Sequence, residues 1–305
     1  AGGAVLYAAG IVWMAYAQTP LELHLSAGVL IGLGLGGCSF TLVIGAFGKL
    51  LPDSWRTIGF GAGTAAGSFG QFLFSPLAVA LVNEVGWQQT LLIFGGVLLL
   101  IVPLAMMIAA PRTGSGVPAR PLAGQTASQA LAEALGHGSY MLLITGYFTC
   151  GFQLFFITVH LPAYLIDRGL SAETGGWAIA VIGLANIVGS ILAGWLGKRY
   201  SRKYLLAGIY TLRTIAAAIF ILTPITPTTV IVFSLAMGAL WLATVPLTSG
   251  LVSYIYGLLY MGTLYGFVFL SHQLGSFLGV WLGGKLYDLY GDYTLVWWVG
   301  VGVGA

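Results

Sequence analysis

Arg213 lies in the middle of an unbroken apolar stretch, a position shared by none of the chain's other ten basic or eight acidic side chains. A charge near a bilayer centre costs at least about 2.5–3.5 kcal/mol on insertion scales, so it marks a solute pathway, a ligand or a packed polar contact. The chemistry available to it is recognition of an anion. His272 and Gln273 form a second group, because neighbours on a helix point about 100° apart and cannot both face lipid cheaply. An imidazole with an ordinary pKa near 6.5 could carry a coupling proton.

Depth selects the remaining candidates. At 1.5 Å per residue, side chains about 10–16 positions into a span lie near the midplane, where carriers bind their cargo. Gln71, Gln153, Asn186, Trp241 and Thr244 therefore join Arg213, His272 and Gln273 as candidate substrate-binding residues. Each has a plainer role beside the functional one. The amides can bond across helices, a contact averaging about 0.6 kcal/mol, Trp241 can pack, and His272 can be a satisfied interior group. No Asp or Glu falls in an apolar stretch. Partners for Arg213 must then be carbonyls, polar side chains, water, an anionic substrate or a group on a further span.

The elements that position these groups are membrane-length. Hydrophobic residues make up 58% of the chain and charged ones 6%, against about 25% charge in a soluble domain. A spanning helix needs about 20 apolar residues to cross about 30 Å of hydrocarbon. Ten stretches qualify or nearly so: Ala1–Ala17, Leu23–Phe47, Thr57–Val82, Gln89–Ala110, Tyr140–Ile166, Gly175–Gly197, Tyr204–Leu222, Thr229–Val252, Met261–Gly284 and Tyr293–Ala305. The first and last are short, and with no Met or charged leader at the start the sequence reads as part of a longer protein. The expected class is an all-α, multi-pass membrane protein.

Charge asymmetry orients it. Lys49, Arg56, Arg112, Arg120, Lys198, Arg199, Arg202 and Lys203 fall on one side, with Arg168 and Lys285 on the other, and by the positive-inside rule the eight-cation side is cytoplasmic. The turns at Gln18–Glu22, Asn83–Gly86, Asp167–Glu173 and Pro224–Pro227 then face outward. Residues 111–138 are polar and rich in small residues, with an amphipathic piece at Ser128–Leu135, and are expected to link two bundles. The expected division is 1–110 (four spans), 111–138 (cytoplasmic linker) and 139–305 (six helices, the last cut short).

Glycines and prolines suggest mechanics. Gly59, Gly63 and Gly67, like Gly275, Gly279 and Gly283, recur every four residues and line one helix face, for static packing or for sliding. Pro246, within Thr244-Val-Pro-Leu-Thr-Ser249, is the best hinge candidate, since nearby hydroxyls can satisfy freed carbonyls.

At this point the residues carry a resemblance. Gly194-Trp-Leu-Gly-Lys-Arg-Tyr-Ser-Arg-Lys203 resembles the degenerate second copy of the major facilitator signature, with Gly194, Arg199, Arg202 and Lys203 at matching positions, Lys198 in place of the acid and Ser201 in place of a glycine. His160-Leu-Pro-Ala-Tyr-Leu-Ile-Asp-Arg-Gly169, Ile182-Gly-Leu-Ala-Asn186, Tyr210-Thr-Leu-Arg213 and Phe269-Leu-Ser-His-Gln-Leu-Gly-Ser-Phe-Leu-Gly-Val-Trp281 are similar to the bacterial monocarboxylate-porter-like branch of that superfamily. The resemblance implies a two-bundle transporter of twelve helices, about ten present here, with the first two spans and the end of the last lacking. It further implies a central site opened alternately to each side, and conformational roles for the signature residues. Relatives carry a charged pair in the eighth span, where this chain has only Asn186 at depth.

Other classes lose ground. An enzyme would need convergent groups at depth, such as paired carboxylates or a His-Glu zinc pattern, and none is present. There is no phosphate-binding loop for nucleotide hydrolysis, and a net charge of +3 gives no footing for nucleic acid. Cys38 and Cys150 have no partners at metal-ligand spacing. No cofactor or metal is expected. The expected function is secondary active transport of a small solute, an organic anion such as a monocarboxylate included, with a coupling proton as second partner in a symport. The chain is expected to act as a monomer in a bacterial inner membrane; a scaffold or receptor-like relative and a channel are the alternatives. The topology is tested by single cysteines at positions 113 and 198. Both should label from the same face of sealed vesicles, and labelling from opposite faces would overturn it.

Overall fold

The structure, a computed structural model, describes residues 1–39, 43, 53–108, 126–256 and 260–305, without the side chains of 53–61 and 253. Lipid offers no partner for a backbone N–H or C=O, so a spanning chain must satisfy them within its own segments. The described elements are accordingly all helical. They are α1 (Gly2–Tyr16), α2 (Pro20–Leu23), a π-helical stretch (His24–Leu30), α3 (Ile31–Gly37), α4 (Asp53–Leu99), α5 (Ile101–Ile108), α6 (Ala127–Leu135), α7 (Gly138–Asp167), α8 (Ala172–Arg199), α9 (Arg202–Leu222), α10 (Pro227–Leu240), α11 (Thr244–Tyr256), α12 (Met261–Tyr290) and α13 (Thr294–Gly304).

Six stretches among the described residues are long and apolar enough to cross a membrane: Pro20–Gly37, Ala62–Met107, Gly138–Asp167, Ala172–Arg199, Arg202–Leu222 and Pro227–Tyr256. Ala62–Met107 covers two of the expected spans. It changes direction at Gly86, whose φ of 82° and ψ of 165° are open only to glycine, and this is where a turn was expected. The first and last expected spans are the shorter apolar helices α1 and α13. Met261–Gly284 lies on the 30-residue α12, whose polar and glycine positions dilute its apolar character.

The turns are built from local chemistry. Before α2, the Thr19 hydroxyl accepts from Glu22 N–H at 3.2 Å, and the Glu22 carboxylate accepts from Gln18 and Thr19 N–H at 2.7 and 3.4 Å. Thr226 and Thr229 form a second capping box, with Pro227 in the first turn of α10. Gly169 takes a positive φ of 83° after α7, and Ser171 caps α8 by accepting from Thr174 N–H.

The chain divides into two compact units, one of Ala1–Gly67 with Pro76–Val117, the other of Ser68–Ser75 with Pro118–Ala305. In the first, α1 meets the π-helical stretch and α3 almost backbone to backbone. A Cβ on Gly34 would lie 2.6 Å from Tyr7, and one on Gly3 2.6 Å from Gly37. The Gln88 amide donates to the Ala15 carbonyl at 3.2 Å. Most of the expected linker lies outside the described residues; its amphipathic piece is helix α6, capped by Thr126 and Gln129, with Ala134 fully buried against Tyr140 and Leu264.

In the second unit the tightest seam joins α7 to α12. A Cβ on Gly151 would strike the His272 carbonyl, and one on Gly275 the Phe148 carbonyl. Gly279 and Gly283 continue the seam against Phe152 and His160. The expected triplet on α12 is therefore a packing surface. The first triplet is different: Gly67 has nothing within 4 Å of where its Cβ would be, and the side-chain positions of Gly59 lie outside the description. Beside the seam, Phe156, Tyr164, Phe220, Phe233 and Trp297 form an aromatic core, with Phe220 stacked on Phe233 at 4.1 Å.

The membrane-length stretch Pro227–Tyr256 is interrupted at Trp241–Ala243, between α10 and α11. Asn186 of α8 holds the break. Its Oδ1 accepts the Leu242 N–H at 2.9 Å, and its Nδ2 donates to the Ser68 hydroxyl at 2.7 Å. Pro246 stands in the first turn of α11 and offers no N–H to the Leu242 carbonyl four residues back. The interruption thus falls in the turn just upstream of the proline singled out as a hinge, which is where a proline disturbs a helix.

Two stability predictions follow from these contacts. Gly275→Ala should destabilise the detergent-solubilised protein by about 1–3 kcal/mol through overpacking, while Gly67→Ala, mid-helix with open space at its Cβ position, should leave the melting temperature unchanged or raise it; equal losses would mean the seam is loose. Asn186→Ala should cost about 1–3 kcal/mol by leaving the part-buried Leu242 N–H without its acceptor, measured by thermal unfolding.

Candidate functional site

Two of the residues picked from depth, Arg213 and Thr244, converge through Cys150. Arg213 is fully buried on α9. One terminal nitrogen donates to Cys150 Sγ at 3.2 Å and the other to the Cys150 carbonyl at 3.5 Å. Cys150 Sγ in turn lies 3.6 Å from the hydroxyl of Thr244, itself fully buried at the start of α11. The Tyr210 ring, one turn before Arg213, lies 5.9 Å from the guanidinium carbon. Helices α7, α9 and α11 thus each contribute one group to a small polar cluster inside an apolar unit.

The guanidinium is weakly held. It has five N–H donors, its one bond to oxygen, at 3.5 Å, is long beside the 2.7–2.9 Å of a charge-assisted pair, and its Nε is buried without a partner. A thiol and a carbonyl are poor substitutes for a carboxylate, and burying a cation this way is costly.

His272 lies on the seam side of α12, buried. Its ring stacks on Phe269 at 5.5 Å and meets Tyr147 at 5.5 Å and Phe155 at 6.0 Å. Nδ1 faces Gln273 Oε1 at 3.2 Å and the Ser276 hydroxyl at 3.4 Å. Gln273 is exposed, so of the neighbouring pair only the histidine faces inward. Above the ring, the Tyr147 and Tyr265 hydroxyls bond at 2.8 Å.

The other candidates are dispersed. Gln153, one turn beyond Cys150, donates from Nε2 to the Gly300 carbonyl at 3.0 Å, and its Oε1 is buried without a partner. It lines a cavity of about 10 Å³ with Ala217, Met237 and Trp297, room for a single water. Asn186 is committed to Ser68 and Leu242 as described. Trp241, 4% exposed, belongs to the apolar core. Gln71 is half-buried against Gly183 of α8 and joins none of these groups.

The signature residues gather at the junction of α8 and α9. Arg202 donates to the Gly250 carbonyl at 3.1 Å, tying the start of α9 to α11. Arg199 lies over the Trp195 ring at 4.9 Å and Lys203 over Tyr204 at 5.7 Å. Gly194 is half-buried with open space at its Cβ position. Among the described residues, no group of three His, Cys, Asp or Glu could hold a metal ion.

Sequence reasoning missed Cys150, which had been set aside for want of metal-ligand spacing, and Ser68. The available signal for Cys150 was its position one turn before Gln153 on the same helix.

A sequence profile of the Major Facilitator Superfamily matches residues 1–280. The chain is 28% identical over 306 residues to an uncharacterized MFS-type transporter, YcxA, of Bacillus subtilis, covering 96% of this chain and 72% of that one. It is 26% identical to monocarboxylate transporter 13 of Bos taurus, over 96% of this chain and 67% of that one. The outward-facing crystal structure of the transporter FucP superposes with a TM-score of 0.65 at 16% identity, covering 99% of this chain and 79% of FucP. With the helices and the apolar spans, these matches show that the chain belongs to the Major Facilitator Superfamily and is a multi-pass membrane transporter.

Proposed function

We propose that the protein is a secondary carrier of a small organic anion, monocarboxylate in class, working by alternating access between halves formed by residues 1–110 and 139–305. The observation that carries the proposal is Arg213: a fully buried guanidinium held by one thiol and one carbonyl, with its Nε unpartnered. Such a group gains most from a carboxylate, which would supply two short charge-assisted bonds. Relatives named monocarboxylate transporter 13 and 12 support the substrate class.

In this proposal the anion meets Arg213 and the Thr244 hydroxyl beside the break between α10 and α11. Broken helices near the midplane are a recurring way to offer backbone groups to a solute. Asn186 and Gln153 hold the surrounding helices, and Trp241 packs rather than covers. His272 is the proposed proton carrier of a symport, since Gln273 and Ser276 can follow its Nδ1 through a change of charge. Gln71 and Gln273 are proposed to face the solute path in another conformation. Gly194, Arg199, Arg202 and Lys203 steady the junction of α8 and α9, with Pro246 shaping the start of α11. The carrier is proposed to be a monomer in a bacterial inner membrane.

The test is uptake of a radiolabelled monocarboxylate by the full-length protein in proteoliposomes. Saturable uptake with counterflow is the expected result; non-saturating conductance would indicate a channel, and neither would indicate a scaffold. Arg213→Ala and Arg213→Lys should each lower uptake at least about tenfold, the equivalent of one lost charge-assisted bond of roughly 1.5–3 kcal/mol, with membrane insertion intact. Normal uptake by both variants would remove Arg213 from the mechanism.

A further inference from the structure

The junction of α8 and α9 carries the sharpest charge patch outside the candidate site. Lys198, Arg199, Arg202 and Lys203 fall together, and the sequence has no acidic residue between Glu173 and Asp288. Their partners are rings and a carbonyl rather than carboxylates: Arg199 lies over Trp195, Lys203 over Tyr204, and Arg202 donates to Gly250. Arg202 is thereby committed to the fold. Lys198, Arg199 and Lys203 are exposed.

A second observation falls at the same place. The 21-residue α9 begins here, and its N-cap Ser201 makes no side-chain capping bond. The first backbone N–H to bond back is that of Leu205, to the Ser201 carbonyl. The N–H groups of Arg202, Lys203 and Tyr204 therefore open toward the junction with the positive end of the helix dipole. Backbone donors and three exposed cations together suit a phosphate.

The rings decide which phosphate. Trp195, Tyr200 and Tyr204 are 50%, 61% and 73% exposed, interleaved with the cations. Exposed Trp and Tyr at helix ends are the side chains that settle at the boundary between headgroups and acyl chains. A soluble phosphate would make no use of them.

We propose that the junction of α8 and α9 is a binding site for the phosphate headgroup of an anionic phospholipid. Lys198, Arg199 and Lys203 supply the charge, the first turn of α9 supplies N–H donors, and Trp195, Tyr200 and Tyr204 lie against the lipid.

The test is native mass spectrometry of the purified protein with phosphatidylglycerol or phosphatidylcholine of identical chains. Preferential retention of phosphatidylglycerol is expected, falling roughly fivefold for each charge removed in Lys198→Gln, Arg199→Gln and Lys203→Gln and their combination. Lys285→Gln, at the far end of α12, should leave retention unchanged. Millimolar inorganic phosphate should not displace the lipid. Equal retention of the two lipids, undiminished retention in the triple variant, an equal loss in Lys285→Gln or full displacement by inorganic phosphate would each overturn the proposal. If the triple variant does not fold, as read by its melting curve, the single variants decide.

Discussion

The approach of α7 to α12 is limited by the carbon atoms that are absent from it. Two helices come this close only where glycine lets one backbone lie on the other, and here the contacts are reciprocal, Gly151 against His272 and Gly275 against Phe148. Dispersion rather than the hydrophobic effect must hold helices together in lipid, and dispersion falls steeply with separation. The seam fixes which face of α7 turns toward α9. With that face go Cys150 and Gln153, and with the opposing helix goes His272.

Arg213 shows what this packing achieves and what it leaves undone. The guanidinium is wrapped by α7, by Tyr210 on its own helix and by the cluster at Thr244, yet none of these groups carries a formal negative charge in its ordinary state. A soluble protein would place such a residue at the surface. Its retention inside a unit otherwise filled with Phe, Trp and Leu is the feature that most separates this interior from a merely structural one.

Much of this was legible in the chain. Apolar length set the helices, and Thr19 with Glu22, Gly86 and Thr226 with Pro227 marked turns by chemistry that works locally. Counting along each span singled out Arg213, Asn186 and Thr244, and all three are fully buried. What could not be read was lateral. The sequences of α7 and α8 are apolar on nearly every side, so periodicity does not say which face meets which neighbour, and the thiol of Cys150 could not be assigned to Arg213. Likewise Pro246 drew attention to the right stretch, and the interruption falls in the turn just before it, but that an amide from another helix takes up the Leu242 N–H there could not be read. His272 and Gln273 were separable only once the seam chose between them.

The break at Trp241–Ala243 has an electrostatic side as well. A continuous helix presents its poles only at the two membrane surfaces, whereas an interrupted one brings the negative pole of α10 and the positive pole of α11 together inside the membrane-length stretch. Asn186 covers part of that doublet by taking up a single N–H. A neutral molecule passing by would register little, while a charged one would meet a gradient whose sense depends on the side from which it arrives.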